Sequence, residues 1–157
     1  MALTLALYQP DIAGNTGAVL RLGACLGVDV SIIEPTGFDM SDRALKRSGM
    51  DYLSMVSLTR HVDFKAFERW RHETGRRLVL FTTAGAASYT DIAYKPDDIL
   101  LFGRESAGVP EAVHAVADLR ATIPMVAGAR SLNLAVSAGM AAGEALRQVR
   151  TGAQGVT

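Results

Sequence analysis

Apolar runs of strand length alternate along this chain with stretches whose apolar residues recur at helical spacing, and glycine, proline or charge punctuates nearly every change. Leu3 to Tyr8 reads as a first strand and Pro10-Asp11-Ile12-Ala13-Gly14 as the loop leaving it. Asn15 suits the N-cap of a helix that stops at about Gly27. Val28 to Ile33 is a second strand, Tyr52 to Leu58 has strand character, and Val62 to Trp70 has helical spacing. Buried strands follow at Arg77 to Phe81, Ile99 to Phe102 and Arg120 to Ile123, with a short helix between Pro110 and about Val116. A final helix runs from Leu132 or Asn133 to Val149, and a disordered tail is expected from Thr151. This alternation predicts one α/β domain over residues 1–150, a mostly parallel sheet with helices on both faces.

Ligands in such sheets bind beyond the carboxyl ends of the strands. The small-residue loops after Phe81, Phe102 and Ile123 leave at that edge and make a candidate pocket. Two helices carry unusual patterns. In the first, Val19, Leu20, Leu22, Ala24, Cys25 and Leu26 leave almost no polar face, so burial against the sheet is expected, with Cys25 as a small core residue. Arg21 is the exception. It either snorkels or reaches an anion along the channel beside Gly17 and Cys25. The last helix is small nearly throughout, and its Gly139 and Gly143 each cost about 1 kcal/mol against alanine. A tight internal crossing or a subunit interface would explain them.

Composition narrows the chemistry. The 157 residues suit one core without metal or disulfide support, and a lone cysteine excludes a disulfide framework or thiolate zinc site within one chain. The first apolar run lacks a preceding positive charge and ends at Gln9-Pro10, so it reads as a strand and the protein as cytoplasmic. Sixteen basic and sixteen acidic residues cancel, which argues against coating nucleic acid through bulk charge. Locally, Arg43, Lys46 and Arg47 form one basic cluster and Arg60 to Arg77 another, each readable as a solvated helix face. No G-x-G-x-x-G follows the first strand, no Walker lysine is present, and His61, His72 and His114 lack metal-ligand spacing.

Three segments together are more specific than any alone. Asn15-Thr16-Gly17-Ala18-Val19-Leu20-Arg21, Leu101-Phe102-Gly103-Arg104-Glu105-Ser106-Ala107-Gly108-Val109-Pro110, and Ile123-Pro124-Met125 with Ser131-Leu132-Asn133-Leu134 resemble the three ordered motifs of the SPOUT-class RNA 2′-O-methyltransferases of SpoU type. Ile32-Ile33-Glu34-Pro35, Gly37-Phe38 and Gly49-Met50-Asp51-Tyr52 further resemble the minimal subfamily that methylates the tRNA wobble nucleotide, position 34. The chain departs from that pattern at Ala107, where relatives often carry a basic residue, and at Gly143, where some carry tyrosine.

The resemblance implies S-adenosylmethionine as donor with S-adenosylhomocysteine as product, no metal, a homodimer, and a C-terminal trefoil knot. It places the cofactor against Phe81, Gly103, Ile123 and Met125, with Ser131, Leu132 and Asn133 closing the pocket and Glu105 nearby. It turns Arg21 towards the transferred methyl and the RNA, as a clamp on phosphate and incipient alkoxide in preference to a literal base, since arginine stays protonated. Arg43, Lys46 and Arg47 of two subunits could form a groove for the anticodon loop, with the wobble C or modified U of certain leucine tRNAs as target. The competing readings are a sister enzyme acting on another tRNA position or ribosomal RNA, and a non-catalytic dimeric scaffold.

Overall fold

The computed structural model describes residues 2–41, 43, 52–84 and 86–154. Its centre is a seven-stranded sheet in which every pairing is parallel. The strands are β1 (Thr4–Tyr8), β2 (Asp29–Ile33), β3 (Leu58–His61), β4 (Leu78–Phe81), β5 (Ala87–Ser88), β6 (Ile99–Phe102) and β7 (Leu119–Thr122), in the order β3-β2-β1-β6-β4-β7-β5. Parallel strands covered on both faces need apolar residues on both. Accordingly β1, β4 and β6 are buried at every position.

Alternation sorts these residues into two cores. Leu5, Leu7, Val79, Phe81, Leu100 and Phe102 face one side, together with Val19 and Leu20 of α1 (Ala13–Leu26) and Ala138, Ala141 and Ala142 of α4 (Leu134–Gln154). Ala6, Tyr8, Leu78, Leu80, Ile99 and Leu101 face the other, with Phe67 of α2 (Phe64–Glu73) and Val113 of α3 (Glu111–Val116). Phe67 is fully buried among Phe64, Trp70 and His61, so the aromatics of α2 are core, as their spacing predicts.

Several expectations shift. Residues 52–55 form turns, and β3 begins only at Leu58, because Leu53 and Val56 pack as anchors onto the core below α1. The first helix starts at Ala13 with Ile12 at its N-cap and no side-chain cap, so Asn15 lies inside the first turn. Gly27 ends it in the left-handed conformation, φ 68°, as expected. Asn133 does cap the last helix, accepting from the Ala135 and Val136 amides at 2.9 and 3.2 Å. That helix continues to Gln154, past the Thr151 expected to open a disordered tail.

Cys25 is exposed, not core, because the face it shares with Gly14, Ala18 and Arg21 points away from the sheet. The basic stretch before β4 is not a simple solvated face either. Arg71 is buried and binds Glu68 through Nε and Nη2 at 2.9 and 2.7 Å, Asp118 at 3.1 Å and the Arg76 carbonyl at 3.1 Å. Arg76, also buried, donates to the Ala2 and Asp97 carbonyls and the Thr4 hydroxyl and lies over the Trp70 ring. Arg77 forks onto the fully buried Asp98 at 2.9 and 2.6 Å. All of these sit where the strands begin, the edge opposite the loops named above.

Candidate active site

The registers Leu7↔Phe102, Phe81↔Phe102 and Phe81↔Ala121 bring β1, β6, β4 and β7 to nearly the same height. Their exit loops therefore emerge side by side. Beyond β4, β6 and β7 they enclose a cleft of about 620 Å³. Phe81, Gly103, Glu105, Ile123, Met125, Ser131, Leu132 and Asn133, all eight of the residues expected to hold a cofactor, line it.

The loop after β6 is shaped by close backbone approach. A Cβ on Gly103 would lie 2.6 Å from the Gly108 carbonyl carbon and 2.7 Å from its Cα. Such contacts leave only glycine possible. The loop then folds back through Arg104 N–H to Gly108 O at 3.0 Å and Gly108 N–H to Arg104 O at 2.8 Å, with Gly108 at φ 67°.

A reciprocal clasp ties this loop to the chain leaving β1. Glu105 accepts from the Asp11 and Ile12 amides at 2.9 and 3.1 Å and from Asn15 Nδ2 at 3.3 Å. The carboxylate thus does from a distance what an N-cap side chain would do, at the positive end of α1. In return Asp11 accepts from Arg104 Nε and Nη2 and from the Ser106 amide and hydroxyl, at 3.0 and 2.5 Å for Ser106. The Arg104 fork first, and the Ser106 hydroxyl second, hold the Asp11 carboxyl down at about 2. Because the chain winds one way from β1 to β2 and the other way through β6 and β4, the crevice between β1 and β6 is where an open sheet usually takes its ligand. Here the clasp fills it, and the cleft is displaced towards β4 and β7.

On the remaining wall Asn133 Nδ2 donates to Asn15 Oδ1 at 3.0 Å, joining the loop after β7 to α1. The peptide groups of Gly103, Ile123 and Met125 enter no turn or loop hydrogen bond among the described residues, so cleft-facing main chain is available to a ligand with donor and acceptor edges.

Arg21 is not where a buried arginine was expected. It is exposed, its guanidinium carbon sits 5.2 Å from the centroid of the Tyr52 ring, and it does not line the cleft of its own chain. The reason is its phase on α1, whose buried stripe is Thr16, Val19, Leu20 and Gly23. Arg43 is exposed, while Lys46 and Arg47 lie outside the described residues. The sequence reading missed Asp11, whose role depends on pairing across 93 residues to Arg104. It also gave no role to Arg130, and weighed His114 only as a metal ligand, though both line the cleft.

Residues 2–143 match the model of the SpoU rRNA methylase family. The chain belongs to that family. A relative from Beijerinckia indica subsp. indica, named tRNA (cytidine(34)-2′-O)-methyltransferase, is 64% identical over 145 residues, covering 92% of this chain and 91% of its own. A solved structure described as "Structural insights into the 2-OH methylation of C/U34 on tRNA" aligns with TM-score 0.88 and 45% identity, covering 96% of this chain and 97% of that one. An AdoMet-bound rRNA methyltransferase from Sinorhizobium meliloti aligns with TM-score 0.85 and 29% identity over 93% of this chain and 56% of that one.

Proposed function

We propose that this protein transfers a methyl group from S-adenosylmethionine to the ribose 2′-hydroxyl of the wobble nucleotide, C34 or a modified U34, of tRNA in the cytoplasm. The observation that carries the reading is that one cleft is lined by Asn15 of the first motif segment together with residues of the other two, with main-chain groups at the ends of β6 and β7 that enter no turn or loop hydrogen bond among the described residues. The relative from Beijerinckia indica subsp. indica, whose name gives that activity and which matches over nearly its full length, supports the choice of substrate.

The cleft fits the donor by polarity as well as position. Gly103, Ile123 and Met125 offer backbone edges suited to a purine, Phe81 contributes apolar surface, and Ser131, Leu132 and Asn133 form the outer wall. S-adenosylmethionine, when bound, supplies an already electrophilic methyl. What the chain must add is alignment of the hydroxyl and stabilisation of the charge that develops on it. Glu105 is engaged by three N–H donors, so it shapes the pocket and does not act as a base.

Arg21 takes part as an electrostatic clamp from a second copy of the chain. Its helix face carries Gly14, Ala18 and Cys25, and the neighbouring face of α4 carries Val136, Met140 and Gly143, all exposed in the single chain. Gly143 meets nothing within 4 Å and Gly139 only Leu22 at 4.0 Å, so no tight internal crossing requires either glycine. A homodimer pairing these faces gives the small residues a purpose and sets Arg21 beside the partner's cleft, whose mouth includes Ile12 and Asn15 at the start of α1. The positive charges of Arg43, Lys46 and Arg47 in both copies serve to bind the anticodon loop. The trefoil knot belongs to this reading too, because the chain leaving β7 must return past the loops of β4 and β6 to lay α4 against α1.

The deciding experiment is transfer of labelled methyl from S-adenosylmethionine to bulk tRNA, with nuclease mapping of the product. Label as a 2′-O-methyl nucleotide at position 34 is expected. Label elsewhere would mean a sister enzyme, and cofactor binding without transfer would mean a scaffold.

A further inference from the structure

Arg104 and Arg130 are the arginines lining the cleft, and their situations differ. Arg104 is committed to Asp11. Arg130 makes no hydrogen bond, ion pair or ring contact among the described residues, and its side chain is exposed. The one carboxylate in the lining, Glu105, is already satisfied by three N–H donors. Among the described residues Arg130 is therefore the cationic side chain of the cleft lining with no carboxylate partner, and its unengaged N–H donors suit an anion.

Its mounting points the same way. Residues 126–133 are exposed throughout, turning through Gly128 at φ 90° and an Ala129 N–H to Val126 O bond of 3.2 Å. Three residues later the Asn133–Asn15 bridge fixes the strand of chain to α1. The guanidinium is thus displayed on the rim beside a firm post. A cleft of about 620 Å³ has room for a small cofactor, whereas an RNA chain is too large to enter it and would leave its phosphates on the rim.

We propose that Arg130 grips a backbone phosphate of the RNA substrate at the cleft mouth and so presents the target ribose. This rests on the methyltransferase reading above. A guanidinium fork suits phosphate oxygens and orients them, which a point charge does not.

The test measures tRNA binding by fluorescence anisotropy across a salt series and S-adenosylmethionine binding by calorimetry, for wild type, Arg130→Ala and Arg130→Lys. In Arg130→Ala, tRNA affinity should fall about tenfold. The slope of log affinity against log salt should become shallower by about 0.7 to 0.9, the loss of one phosphate contact. Cofactor affinity and melting temperature should not move, and Arg130→Lys should recover the slope. An unchanged tRNA slope in Arg130→Ala overturns the proposal, as does a selective loss of cofactor affinity, which would assign the guanidinium to the cofactor's carboxylate. Failure of the wild type to methylate tRNA would instead remove the parent reading, and the two failures are read from different assays.

Discussion

Asp11 shows how much a single carboxylate can organise without touching a substrate. It joins the loops of β1 and β6 while Glu105, on the second loop, joins the first in return. Arg104 holds the Asp11 carboxyl at about 2, below its ordinary 3.8, so the charged form favours the folded state. The stabilisation is therefore complete above about pH 4 and is lost as pH falls towards 2. Urea-unfolding midpoints measured across that window should drop for the wild type and drop less for Asp11→Asn. Some slope should survive, because Arg147 also lowers Glu144 to about 2. Equal slopes in both proteins would mean that the clasp contributes nothing in solution. None of this was legible from Asp11 itself, which reads as an ordinary turn residue until the sheet brings residue 104 to it. Glu105, by contrast, was singled out through its motif, and its three N–H donors fix its side chain at the cleft wall.

At the scale of elements, strands were legible where they are central and helices where they are amphipathic. Ile99 to Phe102 coincides with β6, and Pro110 followed by a helix to Val116 coincides with α3. Edge strand β3 was misplaced because Tyr52, Leu53 and Val56 have strand-forming side chains but are used as a packed turn. The loop after β6 is the element on which the cleft depends most directly. In Gly103→Ala the new methyl meets Gly108 backbone atoms that cannot swing aside, so the loop must open. The expected cost is about 1–3 kcal/mol of stability and at least a tenfold loss of S-adenosylmethionine affinity, checked by thermal melting and calorimetry. Full affinity in that variant would show that the pinch is not needed for the pocket.

At the scale of the whole molecule, the proposed homodimer sets Arg21 of one chain at the cleft of the other. Arg21 and the cofactor residues can be separated genetically: Arg21→Ala spares the cleft, and Gly103→Ala spares Arg21. Co-expressed with different tags, two such inactive chains should regain about a quarter of wild-type activity if Arg21 acts across a two-fold interface, since half the dimers would be mixed and each would hold one intact site. Activity no higher than that of the parents would return Arg21 to its own chain. The exposed face of α1 and α4 could not be anticipated from periodicity, because Cys25, Ala18 and the glycines are equally at home in a core or against a partner.

The arginines below the sheet have a consequence of their own. Arg71, Arg76 and Arg77, with Asp98 and Asp118, moor the upstream ends of the strands, while every cleft residue is downstream. The molecule therefore has a keel and a deck. Sequence change above can re-aim the enzyme at a different RNA while the hull stays rigid, and change below can harden the protein to heat while its choice of substrate stays the same.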